Sequence, residues 1–322
     1  MTRFAIRRAR AWRLSGYSAA AVVVLIVASY PVATRAVVTD SFAPQDLVLL
    51  RFGVGALIFL PYLALQFRAI RRDTWLRAIP LSLFQGAGMA ALVIFGLQFA
   101  PASHASALGP GVVPAWVALL GFLVFSRRPS ARTIVGAAMC AAGVAALAIS
   151  SASAAQPAVL AGDAMFLAAS ALGALYVLQM RNWEIDALQG AAIVTLYSAL
   201  VVVPWFLWSS SGALWQVVAP HEFFSQVLWQ GVLIGCIALV ALNHAVARLG
   251  PERASALVAL VPALSAILGL LFLGEIPSNA EIAAILAISI GVSIGASRGY
   301  GGSPAASSAA VIRPACGLSR PG

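Results

Sequence analysis

Long apolar stretches fill almost the whole chain, and short segments carrying arginine separate them. A helix that crosses the hydrocarbon core of a bilayer needs about 20 apolar residues, and ten windows of the sequence fit this requirement. We name these windows spans one to ten. They cover Tyr17–Val38, Leu47–Phe67, Ile79–Phe99, Ala105–Phe125, Thr133–Ile149, Ala161–Met180, Ala187–Trp208, Val227–Ala247, Ala254–Leu273 and Ile282–Ala296. The sequence therefore predicts an all-α membrane protein with ten transmembrane helices.

The composition excludes a soluble protein of this length. Only 9% of the 322 residues are charged, whereas soluble domains carry about 25%, so the charges are too few to cover a water-facing surface. The net charge of +10 does not indicate a nucleic-acid partner, because all the basic residues are arginines, mostly in clusters between the windows. Cys140, Cys236 and Cys316 are far apart and lack metal-ligand spacing. We expect a small-molecule solute and the lipid bilayer as partners, with no cofactor, metal or nucleic acid.

The positions of the arginines predict the orientation of the chain. Cytoplasmic loops of membrane proteins are enriched in Arg and Lys, and with the N-terminus inside, 18 of the 20 arginines fall in predicted cytoplasmic segments. Arg35 and Arg51, near the outer ends of spans one and two, are the other two. Both termini are then cytoplasmic, and we expect a bacterial inner membrane. Residues 1–15 are predicted to form a basic cytoplasmic N-terminus and residues 299–322 a disordered cytoplasmic tail.

The second half of the chain repeats the first at separations of 146 to 149 residues. The first repeat covers residues 16–150 and the second residues 160–297, with five spans in each. Because five is odd, the second repeat enters the membrane in the opposite sense. The pattern therefore predicts two inverted five-helix repeats, the architecture of many secondary transporters. Matched residues include Tyr30 and Tyr176, Arg35 and Arg181, and Pro114 and Pro262.

Matched prolines indicate where the helices are interrupted. Pro114 in span four and Pro262 in span nine lie 148 residues apart. A proline removes one backbone N–H group and frees a carbonyl group one turn earlier, and in lipid that carbonyl needs a partner or a water-lined cavity. Each proline therefore marks either a helix break beside a solute cavity or a simple kink.

The residues around these prolines resemble EamA-type drug/metabolite transporters. The stretch ALNHAVARLGPERASALVALVPALSAILGLLFLGEIPS, residues 241–278, is similar to the family's signature region, and Gly274-Glu275 to its closing Gly-Glu pair. Arg51-Phe52 and Gly162-Asp163 also resemble family motifs, although Ser126-Arg127 replaces the Gly-Glu pair in the first repeat. The resemblance implies ten spans, cytoplasmic termini, and export or exchange of amino acids, related metabolites or drugs.

Polar and aromatic side chains inside the spans are candidates for binding the solute. Arg51 either holds a substrate carboxylate, extends to the outer interface, or pairs with Asp46 or Glu275. The matched tyrosines either line the cavity or pack in the core. The amides either contact solute or bond neighbouring helices, and the tryptophan faces either cavity or lipid. The candidates are Tyr30, Arg51, Gln85, Trp116, Tyr176 and Asn243.

The predicted function is export or exchange of small metabolites across the inner membrane by alternating access. The chain contains no HExxH sequence, Walker loop or paired aspartate motif, so an intramembrane enzyme is an alternative without a catalytic motif of these kinds. A non-transporting scaffold or sensor is a second alternative. The pairs Gly231–Gly235 and Gly291–Gly295 serve either packing within the chain or a homodimer, so both a monomer and a homodimer stay open.

A reporter enzyme that is active only in the cytoplasm tests this topology. Fused after Gly322, it should be active, because ten spans return the chain to the side of its N-terminus. The matched control is the same reporter fused after Ser211, in a predicted outer loop, where it should be inactive. Activity of a periplasmic reporter after Gly322 would mean an odd number of spans and would contradict the inverted repeat.

Overall fold

The computed structural model describes residues 3–38, 41–126, 129–153, 156–183, 185–209, 219–249, 257 and 260–296. The regular secondary structure within these ranges is entirely helical. This agrees with the apolar composition, because a helix satisfies its own backbone hydrogen bonds and needs no water to do so. The predicted tail, residues 299–322, and residues 210–218 of the predicted outer loop before span eight lie outside the described residues.

Fourteen helices are described. The helix of span one starts at Arg3 and so includes most of the predicted basic N-terminus. Spans three, four and eight each consist of more than one helix. In chain order the helices are Arg3–Val38, Pro44–Gln66, Arg72–Gln85, Ala87–Phe99, Ala102–Leu108, Val113–Phe125, Ala131–Ser153, Pro157–Trp183, Ala187–Ser209, Pro220–Gln226, Val227–Ala238, Leu239–Leu249, Val261–Leu273 and Asn279–Ala296.

Eight segments of the described chain are long and apolar enough to cross a membrane. They correspond to predicted spans one to eight. Two shorter apolar helices, Val261–Leu273 and Asn279–Gly295, lie at the predicted positions of spans nine and ten. Short connections join most successive spans, so neighbours along the chain run in opposite directions. We call the face at which span one ends, at Val38, the distal face, and the opposite one the proximal face.

Spans four and nine have the same local geometry at positions 148 residues apart. In span four the first helix ends at Leu108, and the second runs from Val113 to Phe125, with Pro114 in its first turn. In span nine the helix Val261–Leu273 likewise carries Pro262 in its first turn. Proline is well tolerated there, because the first N–H groups of a helix have no partner within the helix. Each proline therefore stands at the start of a helix and does not kink a continuous one.

The two helices also end alike. Ser126 follows the helix of span four with φ of 52°, and Gly274 follows that of span nine with φ of 66°. A residue in the left-handed backbone conformation commonly ends a helix and allows hydrogen bonds to the last carbonyl groups of that helix. Glycine adopts this conformation without strain, whereas serine does so at some cost. The repeat that was detected in the sequence is thus also present in the backbone.

Spans three and eight are irregular at matched positions as well, which the sequence analysis did not predict. Span three breaks at Gly86, where ψ is −138°. The backbone N–H of Ala87 then donates to Oγ of Ser198 in span seven, at 3.2 Å. In span eight, residues Val227–Ala238 form a π-helix, a form associated with functional sites. That segment includes Gly235, which lies 149 residues after Gly86.

Glycines bring spans five and ten together at their backbones. A Cβ atom at Gly291 would lie 2.7 Å from the carbonyl oxygen of Gly136, and one at Gly136 would lie 2.8 Å from the nitrogen of Gly295. Small residues allow this close approach in membranes, where helices associate through van der Waals packing. Gly231 of the other GxxxG pair packs against the side chain of Val54 in span two. These glycine faces are therefore occupied within one chain.

Adding a methyl group at the contact of spans five and ten should destabilise the fold. Gly291→Ala should lower the free energy of unfolding by about 1–3 kcal/mol, because the new Cβ meets backbone atoms that cannot move aside. The control is Gly53→Ala, where the nearest atom to a new Cβ lies 3.8 Å away. The midpoint of thermal unfolding in detergent measures both. Equal midpoints for the two variants would contradict this packing.

Candidate functional site

Tyr30 and Arg51, two of the candidate residues, are in contact. Nη1 of Arg51 donates a hydrogen bond to the Tyr30 hydroxyl at 3.3 Å. The guanidinium carbon lies 5.6 Å from the centre of the Tyr30 ring and 5.7 Å from that of Phe52, within the range of cation–π attraction. Tyr30 is buried and Arg51 is half-buried. Spans one and two therefore hold a positive charge against an aromatic surface.

Neither carboxylate considered from the sequence pairs with Arg51. Asp46 accepts a hydrogen bond from the backbone N–H of Ala43 at 3.1 Å and so caps the start of span two. Glu275 pairs with Arg35, whose Nε lies 2.9 Å from its Oε1. Within the described part of the chain, no carboxylate lies in ion-pair contact with Arg51. Its guanidinium has five N–H donors, and the contact with Tyr30 uses one of them.

A second group of candidates surrounds span six. Nε1 of Trp116 donates to Oγ of Ser170 at 3.0 Å. One turn along the same helix, a Cβ atom on Gly173 would lie 3.7 Å from Oε1 of Gln85. Gln85 is the last residue before the break of span three at Gly86. A half-buried amide and a half-buried indole thus contact span six at positions one helical turn apart.

Tyr176 lies one turn beyond Gly173, and it is buried with Leu81, Val194 and Phe84. Its hydroxyl group forms no hydrogen bond within the described residues. Tyr176 is seven residues from the proximal end of its helix, whereas Tyr30 is eight from the distal end of its own. The inverted repeat therefore puts the matched tyrosines at opposite depths. The side chain of Asn243, the remaining candidate, lies outside the described residues.

A set of charged residues at the distal face connects the two repeats, and the sequence analysis missed it as a site. Glu275 of the second repeat bonds to two elements of the first. Its Oε1 accepts from Arg35 of span one, and its Oε2 accepts at 3.1 Å from the backbone N–H of Ala102, where span four begins. Arg35 also donates to the carbonyl oxygen of Leu97 in span three. One carboxylate thus links spans one, four and nine.

His104 forms a second connection between the repeats at the same face. The side chain is completely buried, and its Nδ1 lies 2.8 Å from Oδ1 of Asp163 at the start of span six. Its Nε2 lies 3.4 Å from Oε1 of Glu281 at the start of span ten, a longer and less directed contact. The imidazole is therefore between two carboxylates of the second repeat.

Amide side chains add a third distal connection. Gln226 donates to the carbonyl oxygen of Ala33 at 3.0 Å, and Gln230 donates to Oγ1 of Thr34 at 2.9 Å. Both glutamines belong to span eight and are almost completely buried. A buried amide costs free energy unless it is hydrogen-bonded, so these contacts hold span eight against span one. The signal in the sequence was a pair of glutamines four residues apart at a window edge.

Comparisons with known proteins agree with this architecture. The sequence profile of the EamA-like transporter family matches residues 14–149 and 160–295. Eighteen chains of solved structures match; one, titled only "Crystal structure of protein", has a TM-score of 0.59 and 19% identity over 89% of this chain and 97% of its own. No curated protein matches. Since the family profile matches both halves, as the sequence resemblance implied, this chain belongs to the EamA-like transporter family.

Proposed function

We propose that the protein is a secondary transporter that exports or exchanges small metabolites by alternating access. The observation that carries the proposal is a matched departure from regular α-helix: span three breaks and span eight has a π-helical segment, while spans four and nine each begin a helix at a matched proline. Interrupted helices at corresponding positions of inverted repeats are the usual sign of a transport site, because they present free backbone groups to a ligand. Rocking of one repeat against the other would expose the site to each face in turn.

The two alternatives to transport find less support. The sequence Gly291-Val-Ser-Ile-Gly295 has the spelling of a nucleophile elbow, but that motif needs a strand, a sharp turn and a helix. Here Ser293 is in a continuous helix, and its Oγ donates to the carbonyl oxygen of Ser289 at 2.9 Å. In the described part of the chain no group of His, Cys, Asp and Glu residues could hold a metal ion. A scaffold or sensor would have no use for interrupted helices.

Charged and amide side chains connect the two repeats at the distal face, and these contacts support a resting state that is closed at that face. The repeat matches Arg35 to Arg181 and Glu275 to Arg127, so the sequence of the repeat does not reproduce the opposite charges of the distal pair. The described proximal contacts between the repeats include a hydrogen bond from Tyr197 to the carbonyl oxygen of Trp75, at 3.2 Å. We propose that the solute enters from the proximal face and leaves when the distal contacts break.

Arg51 is the proposed anchor of the solute. It lies seven residues into the helix that begins at Pro44, which is about 10 Å along the helix axis. A charged group at that depth costs several kcal/mol unless something pairs with it. Arg35 has Glu275 as its ion-pair partner, whereas the described contacts of Arg51 are aromatic rings and a hydroxyl group. A carboxylate on the solute would complete them, as the bidentate geometry of arginine favours.

The group around span six is the proposed opposite wall. The residues Gln85, Trp116 and Tyr176 offer an amide, an indole and a ring, a combination that orients a small amphipathic molecule in a mostly apolar site. Asn243 in span eight completes the proposed set. These chemical groups suit amino acids, related metabolites and aromatic drugs.

The proposed location is the inner membrane of a bacterium, with both termini in the cytoplasm. The distal face then meets the periplasm and the proximal face the cytoplasm. The support is the distribution of the arginines, 18 of which lie in segments on the proximal side under this topology. If the solute binds from the proximal face, which meets the cytoplasm, the transporter carries out export or exchange.

Substitution of Arg51 tests the solute site. In proteoliposomes, Arg51→Gln should lower the transport of carboxylate-bearing solutes at least tenfold more than that of neutral or cationic ones, because it removes the charge but keeps an amide donor. The matched control is Arg35→Gln, which should alter transport of all solutes alike because it breaks the contact with Glu275. Initial rates with radiolabelled solutes measure both.

The result that contradicts the anchoring role is equal impairment of Arg51→Gln for solutes of every charge. Protein yield in the membrane fraction separates that result from a failure to insert. Absence of flux for any small solute by the unaltered protein, while the vesicles hold folded protein, would contradict transport itself.

A further inference from the structure

The site formed by His104, Asp163 and Glu281 joins three titratable side chains in a buried place at the distal face. His104 has no exposed surface, and Asp163 is 5% exposed. One oxygen of Asp163 is bonded to the imidazole, and the other, Oδ2, is buried and has no hydrogen bond to the described residues. Glu281 also accepts from the backbone N–H of Ser278 through its Oε2, at 2.8 Å. The transport mechanism proposed above uses this site only as a distal contact and assigns no role to its protons.

The geometry of the site favours a charged imidazole. A neutral imidazole carries one N–H group and one lone pair, so one of the two carboxylates would face that lone pair. An imidazolium has N–H groups on both sides and can donate towards Asp163 and Glu281 together. The buried carboxylate of Asp163 and the half-buried carboxylate of Glu281 would repel each other without an opposite charge between them. Within this arrangement a proton on His104 would give spans four, six and ten a shared set of charge-assisted contacts.

The other elements that pack around His104 contribute few charges. Among the described residues, span three adds none, and span nine leads to Glu275. That carboxylate accepts a hydrogen bond from the backbone N–H of Ala102, two residues before His104, and Arg35 of span one neutralises its charge. The charge balance at His104 is thus set by Asp163 and Glu281.

We propose that His104, Asp163 and Glu281 form a proton-binding site, and that a proton taken up from the distal side locks the distal face closed. The inference rests on the proposed alternating access, because it needs a state in which the distal ends of the two repeats separate. In that open state His104 is in water and Asp163 and Glu281 no longer flank it. Closing then takes up one proton on the imidazole, and opening releases it to the distal side.

The sign of the pH effect follows from this uptake. An imidazole in water exchanges its proton near pH 6.5, so above that pH the open state is deprotonated while the closed state keeps the proton. Each further pH unit then lowers the ratio of closed to open protein by up to about tenfold. Acid on the distal side closes the transporter, and alkali releases it. The sequence does not repeat these three residue types at the matched positions, where His104 corresponds to Arg253, Asp163 to Tyr17 and Glu281 to Thr133.

Pulsed electron–electron double resonance, which measures the distance between two spin labels at the distal face, tests the proton lock. The labels are attached at Phe99→Cys, at the end of span three, and Ala158→Cys, at the start of span six; both positions are exposed. The background carries Cys140→Ala, Cys236→Ala and Cys316→Ala. At about pH 5.5 one short distance should dominate, and at about pH 8.5 a longer one should gain at least tenfold in relative population.

Two variants separate the site from other titrating groups. His104→Gln should remove the pH response, because glutamine takes up no proton. His221→Gln, which alters an exposed histidine near the same face, should leave the response unchanged. If unaltered His104 protein shows the same distances at both pH values, or if His104→Gln responds as before, the proton lock is wrong. Solute flux by the same protein shows whether transport occurs when the proton lock is wrong. If the protein shows no flux and a single label distance in all conditions, the proposed alternating access is wrong instead.

Discussion

The carboxylate of Glu275 makes the contact on which the arrangement of the two repeats depends. It neutralises Arg35 and also accepts from the first backbone N–H of span four. The Arg35 guanidinium and this backbone N–H would each raise the free energy of the folded protein in the membrane if they had no partner. Removing one partner of such an ion pair is typically far more destabilising than the pair is stabilising, because the other charge remains. The cost falls at a single face and favours a protein whose distal ends are together.

The rest of the bundle keeps that contact in register. Glycines seat spans five and ten at backbone distance, and buried glutamines fix span eight against the end of span one. The interruptions lie between these fixed points, at Gly86 and at Gly109–Val112. The glycine contacts join span five of the first repeat to span ten of the second, so they would serve as the pivot about which the two repeats rock. That is what alternating access requires of an inverted repeat.

The sequence predicted the features that neighbouring residues determine, and it missed those that depend on contacts between residues far apart in the chain. Apolar windows and matched prolines are local, and the windows of spans one to eight and the paired helix starts at Pro114 and Pro262 follow from them. The break at Gly86 has no proline and depends on a hydroxyl group of span seven, 111 residues away. His104 and Glu281 lay one residue outside their predicted windows, where charges are usually read as loops. The contact between these two residues depends on how the helices pack, which the hydropathy of a local window does not predict.

The candidate site was predicted as one set of residues, and the structure divides it into two. Sequence matching treats Tyr30 and Tyr176 as equivalent, but inversion carries equivalent positions to opposite depths of the membrane. Tyr30 therefore belongs with Arg51 near the distal half, and Tyr176 belongs with the proximal half of span six. Under the proposed alternating access, a solute between the two faces would contact both groups.

Reversible cross-linking of the distal ends tests the central claim most directly. Ala36→Cys and Ile276→Cys introduce exposed thiols beside Arg35 and Glu275, in a background without the three native cysteines. A bifunctional thiol reagent with a cleavable spacer then ties span one to the end of span nine in reconstituted vesicles. The account predicts that solute flux stops when the link is complete and returns when the spacer is cleaved. Flux that continues at the unlinked rate through fully linked protein would contradict it.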